Sequence, residues 1–149
     1  MKRVFLYLAV VLVSFFAVSC EPVNGIEPEF PVKDKTVLIY MVGNNNLSSD
    51  AVRNLEDLKK GYVPSDDNLL VYYHTPAQSP LLLQLKTDRS GAVIQDTVYR
   101  FPQRNSATAE SLKSTLQVTR TMFPANEYGL FLWSHGTGWL PSGDRKSVV

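Results

Sequence analysis

Three largely apolar stretches constrain the fold of this chain most. They lie at 36–42, 68–73 and 128–133, and none alternates apolar with polar side chains. Such continuity is typical of strands covered on both faces, as in a parallel sheet. Helical patterns occupy 47–60 and 107–123. Right-handed crossovers would make the three strands parallel and bring their carboxyl ends to one edge, where open α/β sheets build their sites.

The boundaries of the helices and of an inserted hairpin follow from local signals. Asn46 is expected to cap the first helix and Gly61 to end it in a left-handed conformation. Ser106 is expected to cap the second helix. Pro76 and Pro80 are expected to break the chain before a hairpin formed by 81–86 and 92–100. The apolar face of the first helix is predicted to comprise Ala51, Val52, Leu55 and Leu58.

The first residues indicate export. Residues 1–20 combine a short basic start, an apolar segment and small residues before Cys20, as in a secretory signal peptide. Cys20 resembles the lipidated cysteine of a bacterial lipobox, which predicts a protein anchored to the cell envelope through its N-terminus. Residues 21–35 are predicted to form a tether, or alternatively an ordered extension, and 36–149 the domain. An ordinary signal peptide with an incidental cysteine is the other interpretation of Cys20.

Composition excludes several classes of protein. The chain has 149 residues, enough for one modest domain, and a formal net charge of +1. No basic stripe suggests binding to nucleic acid. A single cysteine and two histidines predict neither a disulfide framework nor a metal site, and no cofactor is evident.

His135 is the strongest candidate for chemistry. It follows the third apolar stretch and is itself followed by Gly136. A histidine fixed at a strand end can take a proton from a nucleophile and return it to a leaving group. The backbone N–H of Gly136 could stabilise an oxyanion, and Trp139 could wall the pocket. A purely structural turn is the alternative.

Two other residues fall at the same sheet edge. His74 ends the second strand, where a structural role or a place on the pocket rim is expected, because no glycine follows and Pro76 closes the loop. Asn44 lies in the loop after the first strand and is assigned to the possible rim without a catalytic role.

Two stretches resemble the clostripain-like cysteine peptidases of the caspase and gingipain clan. They read LFLWSHGTGW at 130–139 and VLIYMVGNNNL at 37–47. The resemblance implies a three-layer caspase-like α/β sandwich with a mainly parallel sheet and a β-hairpin insertion, incomplete in this chain. It also implies that His135 is the catalytic base or acid and Gly136 the oxyanion donor.

The resemblance implies further features that these residues do not carry. The nucleophilic cysteine and the acidic residue that would confer preference for Arg or Lys are expected beyond Val149. The expected partners are a protein or peptide substrate and the remainder of the catalytic domain. Calcium is a possible cofactor by resemblance alone.

Two other functions stay open at this point. The chain could be a non-catalytic surface lipoprotein that binds peptides or proteins on the same scaffold. It could also belong to another class of hydrolase, in which His135 acts with a water or a metal ion.

Overall fold

A computed structural model of the chain describes residues 31–135, which form a five-stranded sheet between two helices. Cys20, the predicted signal peptide and most of the predicted tether lie outside the described residues. No helix within 31–135 has the length and apolar character to cross a membrane. The elements are β1 (Lys33–Val42), α1 (Ser48–Lys60), β2 (Asn68–Thr75), β3 (Gln78–Thr87), β4 (Val93–Arg100), α2 (Ala109–Met122) and β5 (Ala125–Trp133).

The sheet has β1 at its centre and the order β4-β3-β2-β1-β5. β1 pairs in parallel with both β2 and β5, while β3 and β4 add antiparallel pairs beyond β2. The predicted parallel arrangement of the three apolar strands is therefore confirmed. The hairpin extends the sheet on the side away from β5.

One helix covers each face of the sheet, so the α/β fold has three layers. Alternate residues of β1 serve opposite faces: Leu38 and Tyr40 pack in the cluster beside α2, and Met41 packs in the cluster beside α1. This division explains why β1 is apolar without alternation. Burial on both sides is favourable for every apolar side chain along the strand.

The connection between β2 and β3 differs from the prediction. Pro80 does not break the chain: it is fully buried within β3, and a two-residue turn joins β2 to β3 as an antiparallel hairpin. The ladder is irregular between Tyr73 and Thr75. An irregular end of a ladder tolerates proline, which has no N–H to donate.

Helix α1 packs closely on the end of β1. Ala51 and Leu55 are buried, whereas Val52 is 52% exposed, so its predicted place on the apolar face is wrong. A Cβ at Gly43 would lie 2.5 Å from the Cβ of Ala51, so glycine lets the helix approach. Gly61 is right-handed, with φ −86°, and its N–H still bonds to Asp57; the predicted left-handed stop is wrong.

Candidate active site

Loops from the parallel strands meet at their carboxyl ends, an edge that we call the carboxyl edge. Residues 43–47 follow β1, and residues 134–135 follow β5. The register places Val42 of β1 beside His74 of β2, and Met41 beside Trp133 of β5. The convergence predicted from topology is therefore present in the structure.

His135 lies exposed at this edge, and its imidazole contacts the loop after β1. Its Nε2 atom is 2.6 Å from Oδ1 of Asn46, a residue 89 positions earlier in the chain. The neighbouring positions of β1 and β5 in the sheet bring these two residues together. A histidine held in this way can present its other ring nitrogen to a reacting group.

Asn46 does not cap α1 as predicted. The helix has no side-chain cap, and the amide that stabilises its start is that of Asn45, whose Oδ1 accepts from the N–H of Leu47 at 2.8 Å. Asn46 is thereby free to reach across to His135. Sequence reasoning missed this contact, although topology places the loop after β1, which contains Asn46, beside the segment after β5.

A groove of about 450 Å³ opens beside His135. Strand β1 contributes Tyr40 and Val42, and the segment that starts α2 forms the facing wall. The groove is large enough for a side chain of a peptide, and His135 is among the residues that line it. Its lining residues are Tyr40, Val42, Ser106, Ala107, Thr108, Ala109, Leu112, Leu132, Trp133, Ser134 and His135.

His74 lies beneath the carboxyl edge, in contrast to the rim position considered from the sequence. Its side chain is 1% exposed, and Nδ1 is 2.6 Å from Oγ of Ser106. The same hydroxyl is 2.6 Å from the phenolic oxygen of Tyr72. Nε2 of His74 has no hydrogen-bond partner within the described residues. Ser106 thus joins a buried polar network and does not cap α2.

Arg104 completes this network on the side of α2. Its guanidinium donates to Oγ of Ser114 at 2.6 Å and to Oγ1 of Thr115 at 2.7 Å. It also stacks on the ring of Phe101, with 4.1 Å between the guanidinium carbon and the ring centre. Among residues 31–135 it forms no ion pair with a carboxylate. No sequence pattern marked this arginine in advance.

Burial sets the protonation of the network. It lowers the pKa of His74, and the positive charge of Arg104 lowers it further. It also raises the pKa of Tyr40, with a further contribution from the neighbouring Tyr72. Both side chains are therefore neutral near pH 7. A buried, neutral His74 supports the fold at this edge and is separated from solvent.

Asn44 is the only other residue predicted for this edge that lies within the described part of the chain. Asn44 is half-buried in the loop after β1 but does not line the groove beside His135. Gly136 and Trp139 lie outside the described residues. Within 31–135, no group of three His, Cys, Asp or Glu side chains is placed to hold a metal ion.

Several solved structures that match this fold are cysteine proteases. A cysteine protease chain from B. fragilis is 34% identical, with a TM-score of 0.66, over 78% of this chain and 100% of that chain. An inactive zymogen C11 protease from Parabacteroides distasonis is 38% identical, with a TM-score of 0.68, over 76% of this chain and 34% of that chain. A secreted C11 cysteine protease from Bacteroides thetaiotaomicron, solved with an irreversible peptide inhibitor, is 34% identical, with a TM-score of 0.64, over 72% and 31% of the two chains.

The fold and these matches thus place the domain with the cysteine proteases. More particularly, the chain belongs to the clostripain family, Peptidase C11, whose model matches residues 39–148. The resemblance recognised in the two sequence stretches is confirmed. No relative among curated proteins matches the chain. The chain spans 34% of the P. distasonis zymogen and 31% of the secreted B. thetaiotaomicron protease.

Proposed function

We propose that this chain is the N-terminal part of a secreted, lipid-anchored clostripain-type cysteine endopeptidase that cleaves after Arg or Lys. The observation that carries the proposal is the exposed imidazole of His135 at the carboxyl edge, beside a groove and held by Asn46. Histidine exchanges protons near neutral pH, as a general base for a thiol requires.

In the proposed reaction, His135 takes the proton of a cysteine thiol, and the thiolate attacks the scissile carbonyl carbon. The backbone N–H of Gly136 would donate to the oxyanion that forms. The adduct collapses to a thioester as its C–N bond breaks and the imidazolium protonates the leaving amine. Water then hydrolyses the thioester, which releases the acid and restores the thiol. Removing one oxyanion donor of this kind typically costs about 3 kcal/mol of transition-state stabilisation.

The nucleophile is proposed to come from the remainder of the catalytic domain. The only cysteine of the chain is Cys20, within the predicted signal peptide. β5 supports this proposal because it lies at the edge of the described sheet, with Phe131 and Leu132 exposed by 63% and 69%. Side chains on both of its faces are thus available for burial, and an added strand would cover the unpaired edge.

Specificity and location rest on the resemblance and on the relatives. A preference for Arg or Lys is the family expectation, as is a possible need for calcium. Export is supported by the secreted protease of B. thetaiotaomicron, and lipidation by the position of Cys20. Trp139 is proposed to wall the substrate pocket.

The test uses the complete gene product and peptide reporters that end in Arg, Lys or an uncharged residue. We expect His135→Ala to lower kcat/KM for the basic reporters by at least about 100-fold, since it removes the general base. Asn126→Ala is a matched control at the opposite end of β5, where its exposed amide donates a hydrogen bond to Asp34 at 3.4 Å.

Two results would contradict the proposal. Undiminished cleavage by His135→Ala would exclude the assigned base. If the wild-type protein binds the peptides with micromolar affinity but cleaves none of them, the chain belongs to a non-catalytic peptide-binding lipoprotein instead.

A further inference from the structure

In the hydrogen bond between His135 and Asn46, the imidazole is the donor and the amide oxygen is the acceptor. An amide oxygen only accepts hydrogen bonds, so Oδ1 of Asn46, 2.6 Å from Nε2, requires that nitrogen to carry a proton. In a neutral imidazole the proton is then on Nε2, and Nδ1 keeps its lone pair. The same contact suits the imidazolium, in which both nitrogens are protonated.

The loop that carries Asn46 is held in place independently of His135. The N–H of Gly43 donates to the carbonyl of His74 at 2.8 Å, and the N–H of Ser48 donates to the carbonyl of Asn45 at 3.1 Å. The side chain of Asn45 fixes Leu47 in addition. With both ends of the loop bonded, the Asn46 backbone is ordered before any substrate binds, which lowers the entropic cost of orienting the imidazole.

We infer that Asn46 is a positioning residue that holds His135 as the Nε2-protonated tautomer and aims Nδ1 at the catalytic thiol. The inference rests on the proposed function, because it presupposes a cysteine thiol as proton donor. The thiol proton moves to Nδ1 as the thiolate attacks, and the same proton passes from Nδ1 to the leaving amine. Throughout, the Nε2 proton stays on the hydrogen bond to Asn46.

Other residues of the carboxyl edge do not compete for this role. The side-chain oxygen of Asn45 accepts a hydrogen bond from the N–H of Leu47, and the buried ring of His74 contacts the hydroxyl of Ser106. No carboxylate contacts the His135 ring within the described residues. A neutral acceptor orients the ring without adding a negative charge beside it, in contrast to a carboxylate partner, which would favour the imidazolium.

The kinetic test compares Asn46→Ala and Asn46→Asp in the complete gene product. We expect Asn46→Ala to lower kcat by about 10-fold to 100-fold, as for the loss of one hydrogen bond to a charged group, with KM nearly unchanged. Asn46→Asp retains an acceptor oxygen and is expected to recover much of kcat. Its carboxylate should also move the acid limb of the kcat/KM profile to higher pH, because it favours the imidazolium.

A second readout does not depend on turnover. ¹⁵N NMR of the histidine-labelled protein, with the His135 signals assigned by their loss in His135→Ala, reports which ring nitrogen is protonated. We expect protonated Nε2 and unprotonated Nδ1 in the wild type, and a mixture of tautomers in Asn46→Ala. Asn126→Ala should change neither the tautomer nor kcat.

The outcomes separate this inference from the proposed function. If His135→Ala abolishes cleavage but Asn46→Ala leaves kcat and the tautomer unchanged, the positioning role is wrong and the peptidase assignment stands. Protonation of Nδ1 in the wild type, with the Asn46 amide reversed, also overturns the inference. Undiminished cleavage by His135→Ala removes the proposed function itself.

Discussion

At the scale of single residues, the two histidines of the chain have opposite environments. His135 is exposed, and its ring contacts the side-chain amide of Asn46. His74 is buried, its ring contacts the hydroxyl of Ser106, and the positive charge of Arg104 contributes to its lowered pKa. The difference arises from the partner strands. His74 lies one residue before the end of β2, which pairs with β1 and β3 on either side, while His135 follows β5 at the edge of the described sheet.

The buried state of His74 predicts a pH dependence of stability. Its pKa is lowered by burial and then by Arg104, so between that lowered pKa and about 6.5 the unfolded chain binds a proton that the folded chain does not. The stabilisation is complete above about pH 6.5 and is lost as pH falls through this window. We therefore expect the Tm of the complete gene product to decrease as the pH falls through this window.

His74→Gln provides the comparison. Its side chain does not titrate, so its Tm should depend less on pH in the same window, whatever its absolute value. Parallel pH profiles for wild type and variant would contradict the assignment. Carboxylates titrate at lower pH and affect both proteins alike.

At the scale of the elements, local patterns located the helices but not the groups that cap them. Thr108 caps α2: its Oγ1 accepts from the N–H of Ser111 at 3.2 Å. Ser106, two residues earlier, had the same local suitability. Its hydroxyl instead forms hydrogen bonds with Tyr72 and His74, because Ser106 faces β2 and is 2% exposed. Burial and not propensity decided between the two hydroxyls.

Thr108→Ala should therefore lower the free energy of unfolding by about 1 kcal/mol, since it leaves an N–H of the first turn of α2 without its cap. Thr108→Ser keeps the hydroxyl and should retain most of the stability. Urea unfolding of the complete gene product, followed by the circular dichroism of the helices, measures the difference. Equal midpoints for Thr108→Ala and wild type would show that the cap contributes nothing.

At the scale of the whole molecule, the domain is proposed to sit at the end of a lipid-anchored tether. Each buried methylene of an acyl chain contributes about 0.8 kcal/mol to membrane binding, so lipidation at Cys20 would hold the protein firmly. In a bacterial host fed labelled palmitate, the wild-type protein should incorporate the label and Cys20→Ala should not. Ser19→Ala keeps a small residue before the cysteine and serves as the control. An unlabelled wild type would leave an ordinary signal peptide as the explanation.

Much of the fold could be predicted because it depends on short-range patterns. The apolar continuity of 36–42 and 128–133 indicated strands of a parallel sheet, and the helical periodicity between them required crossovers of one hand. Burial on both faces is confirmed for the carboxyl half of β1 but not for β5, most of whose residues are exposed at the edge of the described sheet. These rules predict that His135 lies at the carboxyl edge, where the structure has it. The buried Pro80 and the exposed Val52 were mispredicted, since both depend on which residues oppose them in space.

The order of elements, the parallel core of the sheet and the family follow from the amino-acid sequence, because periodicity and the histidine motif depend on neighbouring residues. The contacts of Asn46 with His135 and of Ser106 with His74 and Tyr72 depend instead on the folded arrangement. These contacts join residues 89, 32 and 34 positions apart in the chain. Distances between such residues are set by strand pairing and packing, which no local pattern encodes.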